Sequence, residues 1–524
     1  MREWRDRKPT DFDEYVKVCS LYGDGFYYIP GTQTCMKIGG FLRTEWDVNA
    51  GASFTTFTNG TNAQFTRAGD QLTTRAHGVI TMDVREQTTW GTLRAYLAGG
   101  WNYTSNDAPT ISLPGTQVPV AGGGGVVGSA PNGASNTYLL RAFIQLGGFT
   151  FGKTASFYDF FNTSKYTYQT NFIYQDYAGI GVNIYGYTQL LGNGLAATVS
   201  VQDPTQNERP IVDLTNGVAA GSFAGFAPGA GHTIVLGAAP TNDAWQNGGF
   251  IVPDIVFNVR LDQAWGGAQV AALLHDNRAR YYNTPLAAGA PVNGLVPGVA
   301  HPGDKWGWAV SGGLELNLPW AKGDSFAVQS QYCVGDTESC YAPAGTRLQD
   351  LAWNLVNNNN KIGFGWVDDA FFANTAATGG TGLQLSTMWN IFAAIQHYWV
   401  PDVRTSLYGG YVQYKANSSA VDTLICAPIH FGTGGTTAQP VVSATGCADW
   451  AAWQIGSRTI WNPVRNLDVG VEALYTDLSK SAFSGANVAF IPTNTGQTAP
   501  GSTFRADSTH IWSGILRIQY NFYP

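Results

Sequence analysis

Apolar and polar residues alternate along this chain in segment after segment. In the stretch Thr509–Phe522, Trp512, Gly514, Leu516, Ile518, Tyr520 and Phe522 share one parity, and Ser513, Arg517, Gln519 and Asn521 share the other. Side chains alternate across a strand, so such a segment has one greasy and one polar face. From Met36 to Asn49, Ile38, Gly40, Leu42, Thr44, Trp46 and Val48 stand opposite Lys37, Phe41, Arg43, Glu45 and Asp47. Ala76, Gly78, Ile80, Met82 and Val84 stand opposite Arg75, His77, Thr81, Asp83 and Arg85. Leu93, Ala95, Leu97, Gly99, Trp101 and Tyr103 oppose Arg94, Tyr96 and Asn102.

The pattern continues through 138–147, 149–153, 180–190, 195–202, 252–262, 268–275, 305–317, 325–333, 384–398, 403–414, 450–461 and 466–477, which predicts sixteen strands in all. Tight turns such as Thr88–Gly91, Gly147-Gly148 and Gly192-Asn-Gly194 alternate with long polar connections. Soluble domains rarely place long loops on one side only. Bacterial membrane barrels combine an even strand count, short periplasmic turns and long outer loops. The fold expected is therefore all-β: a transmembrane antiparallel β-barrel with extracellular loops that show no periodicity of their own. Residues 35–524 form one barrel domain, preceded by a periplasmic segment, 1–34, whose first fourteen residues are atypical.

The solvent explains the pattern. In hydrocarbon every backbone N–H and C=O must pair within the protein, so the sheet must close. Outward aromatics near strand ends (Trp46, Trp101, Tyr103, Tyr520, Phe522) suit the two interfaces.

Composition supports a barrel over a soluble multidomain protein. Of 524 residues only 12% are charged, about half the usual share, while Gly reaches 64 and aromatics 13%. Mean hydropathy is −0.10, and no run of about 18 apolar residues offers a helical span. A net charge of −7 argues against nucleic-acid partners. The six cysteines fall as neighbours in sequence: Cys19 and Cys35, Cys333 and Cys340, Cys426 and Cys447. They are disulfide candidates whose connectivity spacing leaves open, and they suggest an oxidising compartment. Met1-Arg-Glu-Trp-Arg-Asp-Arg-Lys is charged where a signal peptide would be apolar, so the start is expected to be misassigned or not the native precursor.

The stretch from Tyr15 through Cys19, Tyr28-Ile-Pro-Gly-Thr32 and Cys35 to Arg43 closely resembles the N-terminal signature of the alphaproteobacterial general porins. The closing strand fits as well, with Phe522 in place of the terminal Phe and Pro524 as a departure. The resemblance implies a homotrimer of sixteen-stranded barrels in the outer membrane, among its lipids and lipopolysaccharide. It implies passive diffusion of small hydrophilic solutes and a third outer loop folded inward to constrict the pore. The segment Gly152–Lys165 sits where that loop belongs.

Lumen parity collects the candidate chemistry. Lys37, Arg43, Arg75, Arg85, Arg94 and Arg141 line one wall. Asp159 in the third loop is the expected acidic counterpart, with Lys165 and Asp176 as further loop candidates. Opposed basic and acidic walls would order water and set ion preference. No GxSxG, HExxH or Walker spacing occurs, the seven His are dispersed, and Gly123-x-Gly125-x-x-Gly128 lies in a loop without a following helix. The expectation is a general-diffusion porin with no catalysis, cofactor or metal. The alternatives are a channel selective for sugars or organic acids, for which Phe41, Tyr96 and Phe143 are the inward aromatics, and, further off, a barrel enzyme or an adhesin.

Overall fold

The computed structural model describes residues 18–48, 72–104, 112–113, 116–117, 134–160, 162–168, 181–206, 209–214, 226–229, 233–236, 247–281, 301–341, 351–357, 360–373, 381–431, 442–490 and 503–522. Sixteen strands form a closed antiparallel barrel and are numbered here in chain order. They are β1 (Cys35–Val48), β2 (Leu72–Thr88), β3 (Gly91–Thr104), β4 (Ala134–Leu146), β5 (Phe149–Thr154) and β6 (Val182–Gly192). Then come β7 (Leu195–Gln202), β8 (Asp254–Gln263), β9 (Gly266–Asn277), β10 (Lys305–Asn317) and β11 (Ser325–Val334). The last are β12 (Thr387–Val400), β13 (Val403–Lys415), β14 (Trp450–Trp461), β15 (Leu467–Lys480) and β16 (Thr509–Asn521). The closing pairs run Leu42↔Tyr520, Thr44↔Ile518 and Trp46↔Leu516.

The strands expected from alternation are the strands found, with ends displaced by a few residues. The outward face carries what lipid requires. Trp90, Trp265, Trp320, Trp399 and Trp461 stand exposed at five of the periplasmic ends, and Trp101, Trp306, Trp308 and Trp512 toward the other. Between the girdles lie residues such as Val270, which is 67% exposed. An arginine near a bilayer midplane costs about 2–4 kcal/mol. Val270→Arg is expected to lower unfolding free energy by that amount in urea titrations in lipid vesicles; a loss below about 1 kcal/mol would remove this face from the lipid.

The loops, counted in chain order, depart from expectation. Described parts of loops 4 (203–253), 6 (335–386), 7 (416–449) and 8 (481–508) do have regular structure. Leu351–Asn357, Lys361–Trp366, Thr503–Ala506, Asn487–Phe490, Thr233–Leu236 and Phe226–Gly229 make a six-stranded sheet. Ile211–Asp213, Ala370–Phe372 and Gln384–Leu385 make a smaller one. Val212, Phe364, Trp366, Ile425 and Phe483 pack with wall residues Val256 and Met388 into one apolar core. Arg209 of loop 4 is buried, pairs with Glu338 of loop 6 and donates to the Tyr341 carbonyl at 2.9 Å. Both faces of Lys361–Trp366, Ile211–Asp213 and Ala370–Phe372 are covered, so they lack the alternation that marks a strand between two solvents.

All three sequence-local disulfides form: Cys19–Cys35 before β1, Cys333–Cys340 at the end of β11 and Cys426–Cys447 within loop 7. Residues 18–34 double back so that Tyr27 and Tyr28 pair with Met36 and Cys35.

Candidate functional site

Loop 3 (155–181) leaves β5, folds into the lumen and follows the wall. Its first residues are held by polar side chains of inward parity. Ser156 Oγ donates to Gln202 Oε1 at 2.7 Å, and Asn258 Nδ2 donates to the Phe157 carbonyl at 2.6 Å. Gln269 Nε2 reaches the carbonyls of Tyr158 and Asp159 at 3.2 and 3.0 Å, and Arg260 donates to the Phe160 carbonyl at 3.0 Å. Lys165 pairs with Glu315 of β10, whose carboxylate also accepts from Tyr166 Oη at 2.8 Å.

The stretch Ser164–Tyr168 is fastened most firmly. Glu472 of β15 accepts from Thr167 Oγ1 at 2.9 Å, the Tyr168 backbone N–H at 2.6 Å and Tyr408 Oη at 2.8 Å. Arg458 of β14 donates to the carbonyls of Ser164 and Lys165. Tyr168 lies against the guanidinium of Arg517 at 3.7 Å and that of Arg458 at 4.7 Å, contacts that gain strength where water is excluded.

Three inward glycines receive the loop's aromatic rings. A Cβ on Gly186 would stand 2.7 Å from Phe157, on Gly313 2.4 Å from Phe160, and on Gly470 2.0 Å from the Tyr168 hydroxyl. Each distance is below contact, so only glycine leaves room for the ring.

Beneath Tyr168 sits a charged cluster. Glu45 is wholly buried and pairs with Arg517, with Arg75 at 3.9 Å and with Arg43 at 4.0 Å. Arg43 also donates to Gln519 at 2.7 Å. Its side chain, 15% exposed, is the most accessible of the three arginines. Arg75 and Arg517 are buried, Arg517 between the wall and Tyr168 of the loop. Arg94, Tyr96, Arg141 and Phe143 on β3 and β4 remain partly exposed, whereas Gln269, Gln329, Asn390 and Arg458 opposite are buried. Among the described residues, inward side chains thus stay open to solvent on β3 and β4 and on the periplasmic parts of β1 and β2.

The single arginine wall expected from parity resolves into separate levels. Arg43 and Arg75 meet at Glu45, joined by Arg517. Arg85 and Arg94 lie nearer the periplasm and clasp Asp83 with four hydrogen bonds of 2.7–3.0 Å. Arg141 stands at the root of loop 3, donating to the Leu140 carbonyl at 2.7 Å, its guanidinium 3.0 Å from where a Cβ on Gly181 would be. Asp159 is half-buried on loop 3; burial pushes its carboxyl up to about 8, and the charge of Arg141 pulls the other way. Lys165 is committed to Glu315. Asp176 and the glycine run 123–128 lie outside the described residues. Parity alone marks Glu472 and Arg517 as inward; sequence reasoning does not single out Arg458. Nothing in their local sequence shows that closure brings β16 beside β1, or that loop 3 is held there at Thr167 and Tyr168. Among the described residues no three His, Cys, Asp or Glu are placed to hold a metal ion.

Comparison with known proteins agrees with this architecture. A family model described as "Porin subfamily" matches residues 8–515. The chain is 29% identical over 206 residues to porin Omp2b of Brucella canis, covering 39% of this chain and 49% of that protein. It is 24% identical over 318 residues to porin Omp2b of Brucella suis, covering 58% and 72%. The match thus spans about half the length of the first of these curated relatives. Among solved structures, the outer membrane channel DcaP of Acinetobacter baumannii superposes with a TM-score of 0.52 at 14% identity, over 94% of this chain and 99% of that one, a likeness of fold.

Proposed function

The chain belongs to the bacterial porin family, and from that membership we propose that it forms a water-filled channel through which small hydrophilic solutes and ions diffuse passively across the outer membrane. The observation that supports the reading is the seating of loop 3: its described residues lie against the inward side chains of β7–β10 and β14–β16, while Arg94, Tyr96, Arg141 and Phe143 on β3 and β4 stay partly exposed. Transport through such a channel is electrodiffusion limited by size, biased by the charges the solute passes. Family membership speaks for a channel rather than an enzyme. We further propose a homotrimer embedded among outer-membrane lipids and lipopolysaccharide, as the family implies.

The test is single-channel recording of the refolded protein in a planar bilayer under a salt gradient. Ohmic steps arriving in threes support the reading, and persistently closed bilayers overturn it. Asp159 gives this recording a pH dependence. Its carboxyl is largely neutral below the raised pKa and ionises above it, so negative charge appears on loop 3 as pH rises. The reversal potential is expected to move toward cations between about pH 6 and about pH 9, either side of the raised value. Asp159→Asn should flatten that change.

One observation favours a more selective channel. Phe41, His77 and Tyr138 form a chain of edge contacts at 5.2 and 5.3 Å, and Tyr96 stacks on Phe143 at 5.3 Å. Arg43 lies over Phe41 at 4.8 Å, and Arg94 over Tyr96 at 5.1 Å. Guanidinium groups backed by rings suit organic anions with an apolar part. Block of the current by one such solute at low concentration would decide for this reading.

A further inference from the structure

We propose that the periplasmic end of the channel carries a second filter, for small oxyanions such as phosphates and carboxylates. It is built from Lys37, Arg85 and Arg94 and roofed by the disulfide-closed segment Cys19–Cys35. The inference rests on the channel reading above.

The segment turns inward across the mouth. Its ring Phe26 lies 5.0 Å from the Arg85 guanidinium and 5.8 Å from Lys37 Nζ, and Tyr22 lies 5.7 Å from Arg85. Lys37 and Arg85 both have inward parity, so rings that meet them stand under the lumen and away from lipid. The position is built: Cys19, Phe26 and Cys35 are buried together with Tyr22 and Tyr28 packed on them. Cys19 N–H donates to the Phe26 carbonyl at 2.9 Å, and Lys37 Nζ to the Asp24 carbonyl at 3.0 Å. The disulfide closes the segment onto the first residue of β1.

The charge at this level is unbalanced. Register places Cys35 opposite Arg85, Lys37 opposite Asp83, and Arg85 opposite Arg94. Among the described inward strand residues here, three cations face the carboxylate of Asp83; the segment adds the carboxylate of Asp24, and Glu86, of outward parity, accepts from Thr34 Oγ1 at 3.2 Å. Elsewhere around the periplasmic end, described inward pairs such as Arg260–Asp262 and Arg404–Asp468 are one to one. Arg85 and Arg94 are each 27% exposed, so water and solutes reach them. The aromatic faces hold these cations toward the lumen, where an anion entering or leaving must pass.

This level is separate from the cluster at Glu45. From Lys37 to Arg43 the strand rises roughly 20 Å, while fields are screened over about 8–10 Å in physiological salt. The two levels therefore act independently, and their effects on selectivity multiply.

The experiment uses the full chain in planar bilayers, with inserted channels facing one way and pyrophosphate as the probe. In the parent, pyrophosphate is expected to block more strongly from one side than from the other. Arg85→Gln with Arg94→Gln should abolish that asymmetry and lower the chloride-to-potassium permeability ratio; one unit charge about 4 Å from an ion in water changes its local population roughly fivefold. Cys19→Ser with Cys35→Ser, which frees the roof and keeps the arginines, should reduce the asymmetry and leave the effect of Arg43→Gln intact. Unchanged reversal potential and block in the arginine variant would overturn the filter. Unchanged block in the cysteine variant would overturn the role of the roof. If the parent and every variant fail to conduct, the channel reading fails and takes this inference with it. A conducting parent with a silent mouth variant refutes the filter alone.

Discussion

Replacing Glu472 with alanine is expected to release loop 3 at Thr167–Tyr168 and produce frequent openings to a higher conductance. The Glu472 carboxylate accepts three hydrogen bonds in a buried site, two of them from the loop itself. A hydrogen bond to a charged group is worth about 1.5–3 kcal/mol. Losing the two loop bonds should raise the population of the released loop by at least about a hundredfold. Release would be partial, because Lys165–Glu315, Arg458 and the sockets at Gly186 and Gly313 still hold the loop before Thr167. The expected signature is therefore noise and upper substates on an intact channel. Glu472→Gln, which keeps one acceptor oxygen, should fall between. Gly470→Leu attacks the same anchor by filling the Tyr168 socket and should resemble the alanine variant. Far-UV circular dichroism would establish that each variant keeps its sheet. Parent-like, quiet conductance in both Glu472→Ala and Gly470→Leu would show that loop 3 does not depend on this anchor.

The barrel was legible because each strand separates two solvents. Lipid outside and water inside write an alternation into Ile38–Val48 or Trp512–Phe522 that a window of ten residues reveals. The loop sheet was illegible for the opposite reason. In Lys361-Ile-Gly-Phe-Gly-Trp366 the bulky residues are buried and the glycines are too, with a Cβ on Gly363 only 2.3 Å from Thr509 Oγ1. A strand pressed between a core and a wall has no polar face to display. The site was half legible. Parity named Arg43 and Arg75 as inward, and the resemblance placed loop 3. What parity cannot give is height: it sorts side chains into two faces and leaves their level along the pore to register and tilt. Arg85 and Arg94 share a face with Arg43 yet sit at the periplasmic mouth. Arg517, some 470 residues away in sequence, pairs with Glu45 because the last strand closes on the first. Proximity of this kind arises from closing the sheet, and a single strand carries no mark of it.

Neutralising Arg43 and Arg75 together is expected to shift ion preference strongly toward cations. The double variant is preferable to removing all three arginines at Glu45. Breaking a buried pair by deleting its partner costs about 3–5 kcal/mol, because the remaining charge is left uncompensated. With Arg43→Gln and Arg75→Gln, Arg517 still pairs with Glu45, so the cluster loses two positive charges and keeps one satisfied ion pair. Glutamine at position 43 can also retain a contact to Gln519. A unit charge about 4 Å from a permeating ion in water is worth about 1 kcal/mol, roughly fivefold in local ion population. Arg43 is the more exposed of the two and Arg75 is enclosed, so the second acts at longer range but through less screening medium. The reversal potential in a potassium chloride gradient should therefore move toward the potassium equilibrium value by an amount that shrinks as ionic strength rises. A shift that persists unchanged at 1 M salt, where screening acts within about 3 Å, would point to altered pore shape. No shift at low salt would remove the Glu45 cluster from the conduction path and leave Arg94 and Arg141 on the open wall as the residues that set ion preference.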